Sequence, residues 1–476
     1  MKYLIEYDKS DPVSIERYAQ GLLGKTFRQI CEADSRPINS MVSEPVDYRG
    51  SVDVKETKRN KGNLGQLIEE HYFHYECNSD SRPDFHEAGV ELKVTPYMKK
   101  KDGSLSAKER LIITMIDYCQ VVKENFETSH LWMKARQILL VYYLYSCEIE
   151  KNIDYRIDYA KLFTPPQHDL QIIKHDFEII VEKVKAGKAN ELSEADTLYL
   201  GAATKSSDST KRREQPFSDE PAKPRAFAFK QSYMTYVLRN YIVPGSKTYE
   251  SIESDTETES FEDYVKNKID AYKGYSIEIL AAKYNVDLEK KPKNLEAMLA
   301  YRILGIKGNR AEEFEKANIV MKAIRIGSNG KIKESMSFPT FRFKELVNED
   351  WEDSTLGNYL RETRFFFVVY KYDENEILRL RGCQFWSIPY DDLEGDVKKV
   401  WNKTGDVIKN GLQIKEINGI RYNNFPKASE NAVCHVRPHA KDAKDTYELP
   451  DGREYTKQCF WLNNSYILSQ INENLR

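Results

Sequence analysis

Asp84, Glu91 and Lys93 are of types, and at a spacing, that can do phosphoryl chemistry. Glu91 and Lys93 lie in GVELK, whose content predicts a strand, and residues two apart on a strand point to the same face. Asp84 follows Pro83 and meets them if the chain reverses in between. Two carboxylates gathered on one sheet edge can hold a divalent cation through hard oxygen ligands. A lysine beside them can orient or help deprotonate an attacking water and stabilise charge on a phosphate. This is equipment for metal-dependent phosphodiester hydrolysis, although the bare triplet equally fits a solvated strand face. Glu69 in the preceding apolar segment could add a third carboxylate, and Lys134, just before the next apolar run, could approach from the flank.

Positioning such a group requires strands with helices packed on them. GVELKVTPY and the run ILLVYYLY (Ile138 to Tyr145) have the β-branched and aromatic content of buried strands. GQLIEEHYF reads as an apolar helix, and the stretch from Asp176 through ANEL and the terminal ENLR read as amphipathic helices. The expected class is therefore a mixed α/β fold.

This pattern occurs twice. Asn63-Leu64 before GQLIEEHYF matches Asn294-Leu295 before EAMLAYRIL, PDFHEAGVELKV matches EEFEKANIVMKA, ARQILLVYY matches TRFFFVVYK, and AFAFKQSYMTYVL matches CFWLNNSYILSQI. These collinear matches at a shift of about 230 residues indicate an internal duplication. The second copy has Glu313 for Asp84, Val320 for Glu91, Ala300 for Glu69 and Glu362 for Lys134, and keeps Lys322 for Lys93. The apolar framework repeats while the polar constellation does not. Between the copies, SKTYESIESDTETESFED is acidic and poor in apolar surface, which predicts a solvated connector. The expected division is 1–245, a linker over 246–262, and 263–476.

Composition bounds the rest. The chain has 476 residues, 72 Lys+Arg against 75 Asp+Glu, and 40% hydrophobic residues, which suits a folded protein of two or three domains and excludes collagen or a disordered tail. The N-terminus turns acidic too soon for a secretory signal, and the longest apolar run is far too short to span a bilayer. Seven scattered cysteines without a CxxC pair argue against a disulfide scaffold or zinc ribbon and favour the cytoplasm. His71 and His74 have helical spacing, and Cys434-His435 precedes Arg437, but neither completes a zinc set; packed or surface roles are expected.

KGNLGQLIEE from Lys61, PDFHEAGVELKVTPY from Pro83 and WMKARQILL from Trp132 resemble the MutH/Sau-type restriction endonucleases. The resemblance extends over ELSEADTLYL, REQPFSDEPAKPRAF, ESMSF and HVRPH, nearly the whole chain. It implies two tandem restriction-endonuclease-like domains of the PD-(D/E)xK, MutH-like kind, the first active and the second inactive. By that resemblance Glu69, Asp84 and Glu91 match the metal-binding group, with Lys93 and Lys134 as catalytic lysines and Mg2+ as cofactor. The implied substrate is double-stranded DNA containing GATC, cut on both strands, with a DNA-induced homodimer or successive nicks serving the palindrome. A mismatch-repair nicking enzyme and a non-cleaving DNA-binding regulator are the alternatives.

Base contacts need their own residues. Arg437, fixed in an extended or turn setting by Pro438, can pair bidentately with guanine in the major groove. The family's RP loop reads DNA in this way. The first copy departs from it, offering Thr204-Lys205 followed by Lys211, Arg212 and Arg213, with Lys205 the best candidate for a base or phosphate contact. Trp461 takes the place of Ala228, either as an exposed DNA contact or as core.

Overall fold

The computed structural model describes residues 7–34, 63–74, 82–100, 103–146, 148–206, 210–243, 245, 249–252, 259–290, 292, 294–417 and 420–476. The chain forms two compact units, Met1–Asn190 with Tyr199–Thr248, and Glu191–Leu198 with Tyr249–Arg476.

In the first unit, Glu91–Lys99 pairs in parallel with Ile138–Leu144. Ile157–Phe163 and Leu105–Ala107 flank this pair antiparallel, so the sheet is mixed. Residues from Ile138 to Tyr143 are all buried, as a strand covered on both faces requires, and this explains their unbroken apolar run. The core joins Leu139 and Val141 to Ile15, Phe27, Ile68 and Phe85. A second, antiparallel sheet contains Leu111–Met115, Arg225–Phe229 and Leu200–Thr204, in that order.

The second unit repeats this topology. Ile319–Ile326 lies parallel to Arg364–Tyr372, which pairs antiparallel with Leu378–Trp386. Its second sheet orders Met336–Phe341, Gln458–Leu462 and Cys434–Pro438. The repeat reaches single residues. Ser129 accepts from Trp132 N and donates to Phe126 O; Ser354 accepts from Gly357 N and donates to Trp351 O. Each buried serine caps the helix that feeds the central strand.

Four local expectations change. The helix around Asp176 runs earlier, over Gln167–Lys185, and the terminal ENLR forms one 3-10 turn, Glu473–Leu475. The matched segments PDFHEAG and EEFEKAN differ: the first is a turn closed by Phe85 and Val90, the second is the helix Glu312–Ala317. Pro83 and Gly89 favour the turn, whereas Glu312, Glu313 and Glu315 suit the first turn of a helix. The acidic connector is not wholly solvated. Its residues 246–248 and 253–258 lie outside the described ones, but Ile252 is only 1% exposed and Glu250 pairs with Ala311. Residues 249–252, like Glu191–Leu198, group with the second unit rather than with the linker or the first half.

Candidate active site and DNA-reading strands

The chain reversal that Asp84 requires is present. Phe85 and Val90 exchange both backbone hydrogen bonds, at 2.9 and 3.2 Å, which returns the chain to the strand beginning at Glu91. Gly89 at the corner has φ +67°, a conformation that favours glycine, and a Cβ there would displace the Arg136 guanidinium, which lies 2.2 Å from its position. Asp84 Oδ2 accepts from Leu92 N at 2.8 Å, fixing its carboxylate beside the strand.

Glu91 is 2% exposed. Its Oε1 accepts from Lys93 Nζ at 2.7 Å and from Lys134 Nζ at 3.2 Å. Lys134 stands in the last turn of the helix His130–Ala135 that Ser129 caps, and so reaches Glu91 across the parallel strand pair. Oε2 of Glu91 is buried without a hydrogen-bond partner. A buried carboxylate oxygen left open beside a second carboxylate suits a hard cation, which would supply the missing contact. Burial, then Glu91, then Glu69, raise the Asp84 pKa to about 7, and a divalent charge would offset this crowding.

Asp84, Glu91, Lys93 and Lys134 therefore come together as the sequence suggests. Glu69, on the helix Asn63–His71, raises the Asp84 pKa by its charge. Among the described residues no three His, Cys, Asp or Glu side chains are grouped as a metal-binding set, so the gathered carboxylates are the pair Asp84 and Glu91. Arg136, exposed and poised over Gly89, is a further cation at this corner that the motif spacing does not reveal.

The matching corner of the second unit is closed. Glu313 is buried and accepts from Ser251 Oγ and, at 2.9 Å, from Ile252 N. Glu250 Oε2 accepts from Gly308 N at 2.6 Å. Burial lowers the Lys322 pKa, and Ala300 is fully buried.

Arg437 and Pro438 end an exposed strand tip, with Arg437 opposite Cys459. The register sets the first-half equivalence residue by residue. Ala203 opposite Ala226 occupies the Arg437 position, so Thr204 corresponds to Pro438 and Lys205 to His439. Lys205, Arg212 and Arg213 are exposed; Arg212 donates to Lys211 O at 2.9 Å and Arg213 to Ile116 O at 3.5 Å. His71 is packed, its Nδ1 2.9 Å from Asp34 Oδ2, an acidic partner that sequence spacing hides. His435 is also packed, its Nδ1 2.6 Å from Asn463 Oδ1.

The family model described as DNA mismatch repair enzyme MutH matches residues 73–176, which hold Asp84, Glu91, Lys93 and Lys134. The type II restriction enzyme Sau3AI of Staphylococcus aureus is 38% identical over 461 residues, covering 87% of this chain and 93% of that protein. DNA mismatch repair protein MutH of Vibrio campbellii is 26% identical over 209 residues, 42% of this chain and 88% of its own length. MutH of Shewanella baltica (strain OS185) is 28% identical over 198 residues, 40% and 84% respectively. Identity that runs through both units at this level shows that the chain belongs to the MutH/Sau3AI-type restriction endonuclease family.

Proposed function

We propose that this protein is a type II restriction endonuclease that hydrolyses both strands of duplex DNA at GATC with Mg2+. Cleavage belongs to the first unit, and the second unit binds a further GATC copy as an effector. The observation that carries this reading is the half-buried Asp84 beside the buried Glu91, with two lysines on one Glu91 oxygen and the other oxygen open. Asp84 and Glu91 would hold the cation, with Glu69 contributing from further out. When bound, the metal supplies charge stabilisation at the scissile phosphate and a more acidic water. Lys93 orients or deprotonates the attacking water, and Lys134 keeps the Glu91 carboxylate aimed and adds positive charge. Lys205, Arg212 and Arg213 contact DNA from the first unit, and Arg437, with Pro438, reads guanine from the second. Two chains brought together on the palindrome, or two successive nicks, cut both strands. A cytoplasmic location fits this role, and no described helix is long and apolar enough to cross a membrane.

The test is incubation of unmethylated GATC plasmid with the protein, with and without magnesium. Linear product that requires magnesium is expected. Nicked circles alone would favour the mismatch-repair type of activity, and gel shifts without any cleavage would leave a DNA-binding regulator.

A further inference from the structure

In the second unit, Arg437 is held against an aromatic platform. Its guanidinium carbon lies 3.9 Å from the centre of the Trp461 ring. The Trp461 indole N–H donates to Arg437 O at 3.3 Å, so the same residue fixes both the backbone and the side chain of the arginine. Trp461 is 9% exposed and pairs across the strands with His435, whose ring lies nearly parallel to it at 6.5 Å. His439 meets the indole edge-on at 5.3 Å. Among the described residues no carboxylate or carbonyl accepts a hydrogen bond from the Arg437 guanidinium. Its planar set of donors is thus oriented by stacking alone and stays free for a ligand.

A free arginine side chain samples many rotamers, and ordering it on binding costs about 0.5–1.5 kcal/mol. Stacking on a buried indole restricts this motion before DNA arrives, and bidentate guanine recognition depends on the orientation of the fork. The first unit has no such pair at the matching positions. The register places Ala228 where Trp461 stands and Ala203 where Arg437 stands. Any buried tryptophan needs an acceptor for its N–H; what core filling alone does not call for is an exposed arginine stacked on its face.

We infer that Trp461 is a positioning residue for specificity: it presents the Arg437 guanidinium, ready-oriented, to the guanine of a duplex bound by the second unit. This rests on the reading of the second unit as a GATC-binding domain.

The test uses the full chain carrying Asp84→Asn, in EDTA, titrated with short duplexes containing one GATC or a scrambled site. The parent should bind two GATC duplexes per chain. Arg437→Ala should weaken the second equivalent by about 5- to 150-fold. Trp461→Leu should weaken it by about 3- to 30-fold, and Trp461→Phe, which keeps an aromatic face, by less than about 3-fold. In the Arg437→Ala background, Trp461→Leu should cost no further discrimination, because its effect passes through the arginine. Additive losses, or a Trp461→Leu chain that discriminates like the parent, would overturn the proposal. Should Trp461→Leu fail to fold, Arg437→Lys leaves the indole in place and decides: lost discrimination supports a stacked planar fork, and parent-like discrimination refutes it. A parent that binds a single GATC duplex refutes the two-site reading, and the role of Trp461 with it. Two-duplex binding that is indifferent to Trp461 refutes only that role.

Discussion

The first and second units meet the same structural problem, a parallel strand pair with a turn or helix at its N-terminal edge, and fill that corner in opposite ways. In the first, Asp84 and Glu91 crowd together, and one Glu91 oxygen is left without a hydrogen-bond donor. In the second, Glu313 is turned into structure: the Ser251 hydroxyl and the Ile252 amide satisfy it, and Ile252 is buried beside it. Buried carboxylates are costly unless neutralised by hydrogen bonds, by protonation or by a cation. The second unit uses hydrogen bonds. The first satisfies one Glu91 oxygen with two lysines and leaves the other open, which is the opening that the proposed cation would fill. The asymmetry reverses at the second sheet, where the second unit has a stacked arginine and the first has alanines.

The largest expected effect breaks the first corner. Asp84→Ala or Glu91→Ala should lower cleavage of GATC plasmid by at least about 10²–10³-fold while gel shifts persist, because the basic contacts to DNA are untouched. Cleavage near the wild-type rate in either variant would sink the assignment. Lys93→Ala should lose about 10²–10⁴-fold if it handles the water proton, and Lys134→Ala, which meets Glu91 at the longer distance of 3.2 Å, should lose less. Equal losses would mean that the two lysines act as one group.

The converse experiment tries to repair the second corner. Ala300→Glu with Val320→Glu, made in an Asp84→Ala chain, should restore no cleavage, because Glu313 remains tied to Ser251 and Ile252. Any magnesium-dependent cutting would show that loss of carboxylates alone silenced this unit.

A smaller effect concerns pH. The Asp84 carboxyl titrates at about 7, above its ordinary value, so the folded state binds that proton more tightly than the unfolded chain. The resulting stability is present in full below about pH 4 and is lost as pH rises through about 7. Asp84→Asn, measured by thermal melting without divalent cations, should therefore stabilise the protein more at pH 8 than at pH 5. Magnesium should raise the wild-type melting temperature more at the higher pH, and a gain that does not change with pH would contradict the crowding. Smallest of all, Ser251→Ala removes one bond to a buried carboxylate and should cost about 1–3 kcal/mol, with the melting transition shifted and the cleavage rate kept.

The framework and most of the corner were legible in the chain. The unbroken apolar run from Ile138 marks a strand buried on both faces, and period-two spacing brings Glu91 and Lys93 to one side, because these follow from local geometry alone. The duplication and the missing carboxylates at Ala300 and Val320 are likewise visible by aligning the chain with itself. What spacing cannot supply is partnership over distance. Lys134 joins Glu91 only because the parallel pairing sets Ile138 beside it, and His71 meets Asp34 across two helices. The acidic connector has the composition of a solvated segment, yet Glu250 finds a donor in Gly308 N, Ser251 and Ile252 find an acceptor in Glu313, and Ile252 finds an apolar surface, all of which exist only once the second unit has folded. Which first-half residue takes the place of Arg437, Ala203, was decided by strand register, which tertiary hydrogen bonding fixes and linear matching does not. Residue types and local periodicity thus determined which chemistry was possible, and tertiary pairing decided which carboxylate oxygen stays open and which are tied into the structure.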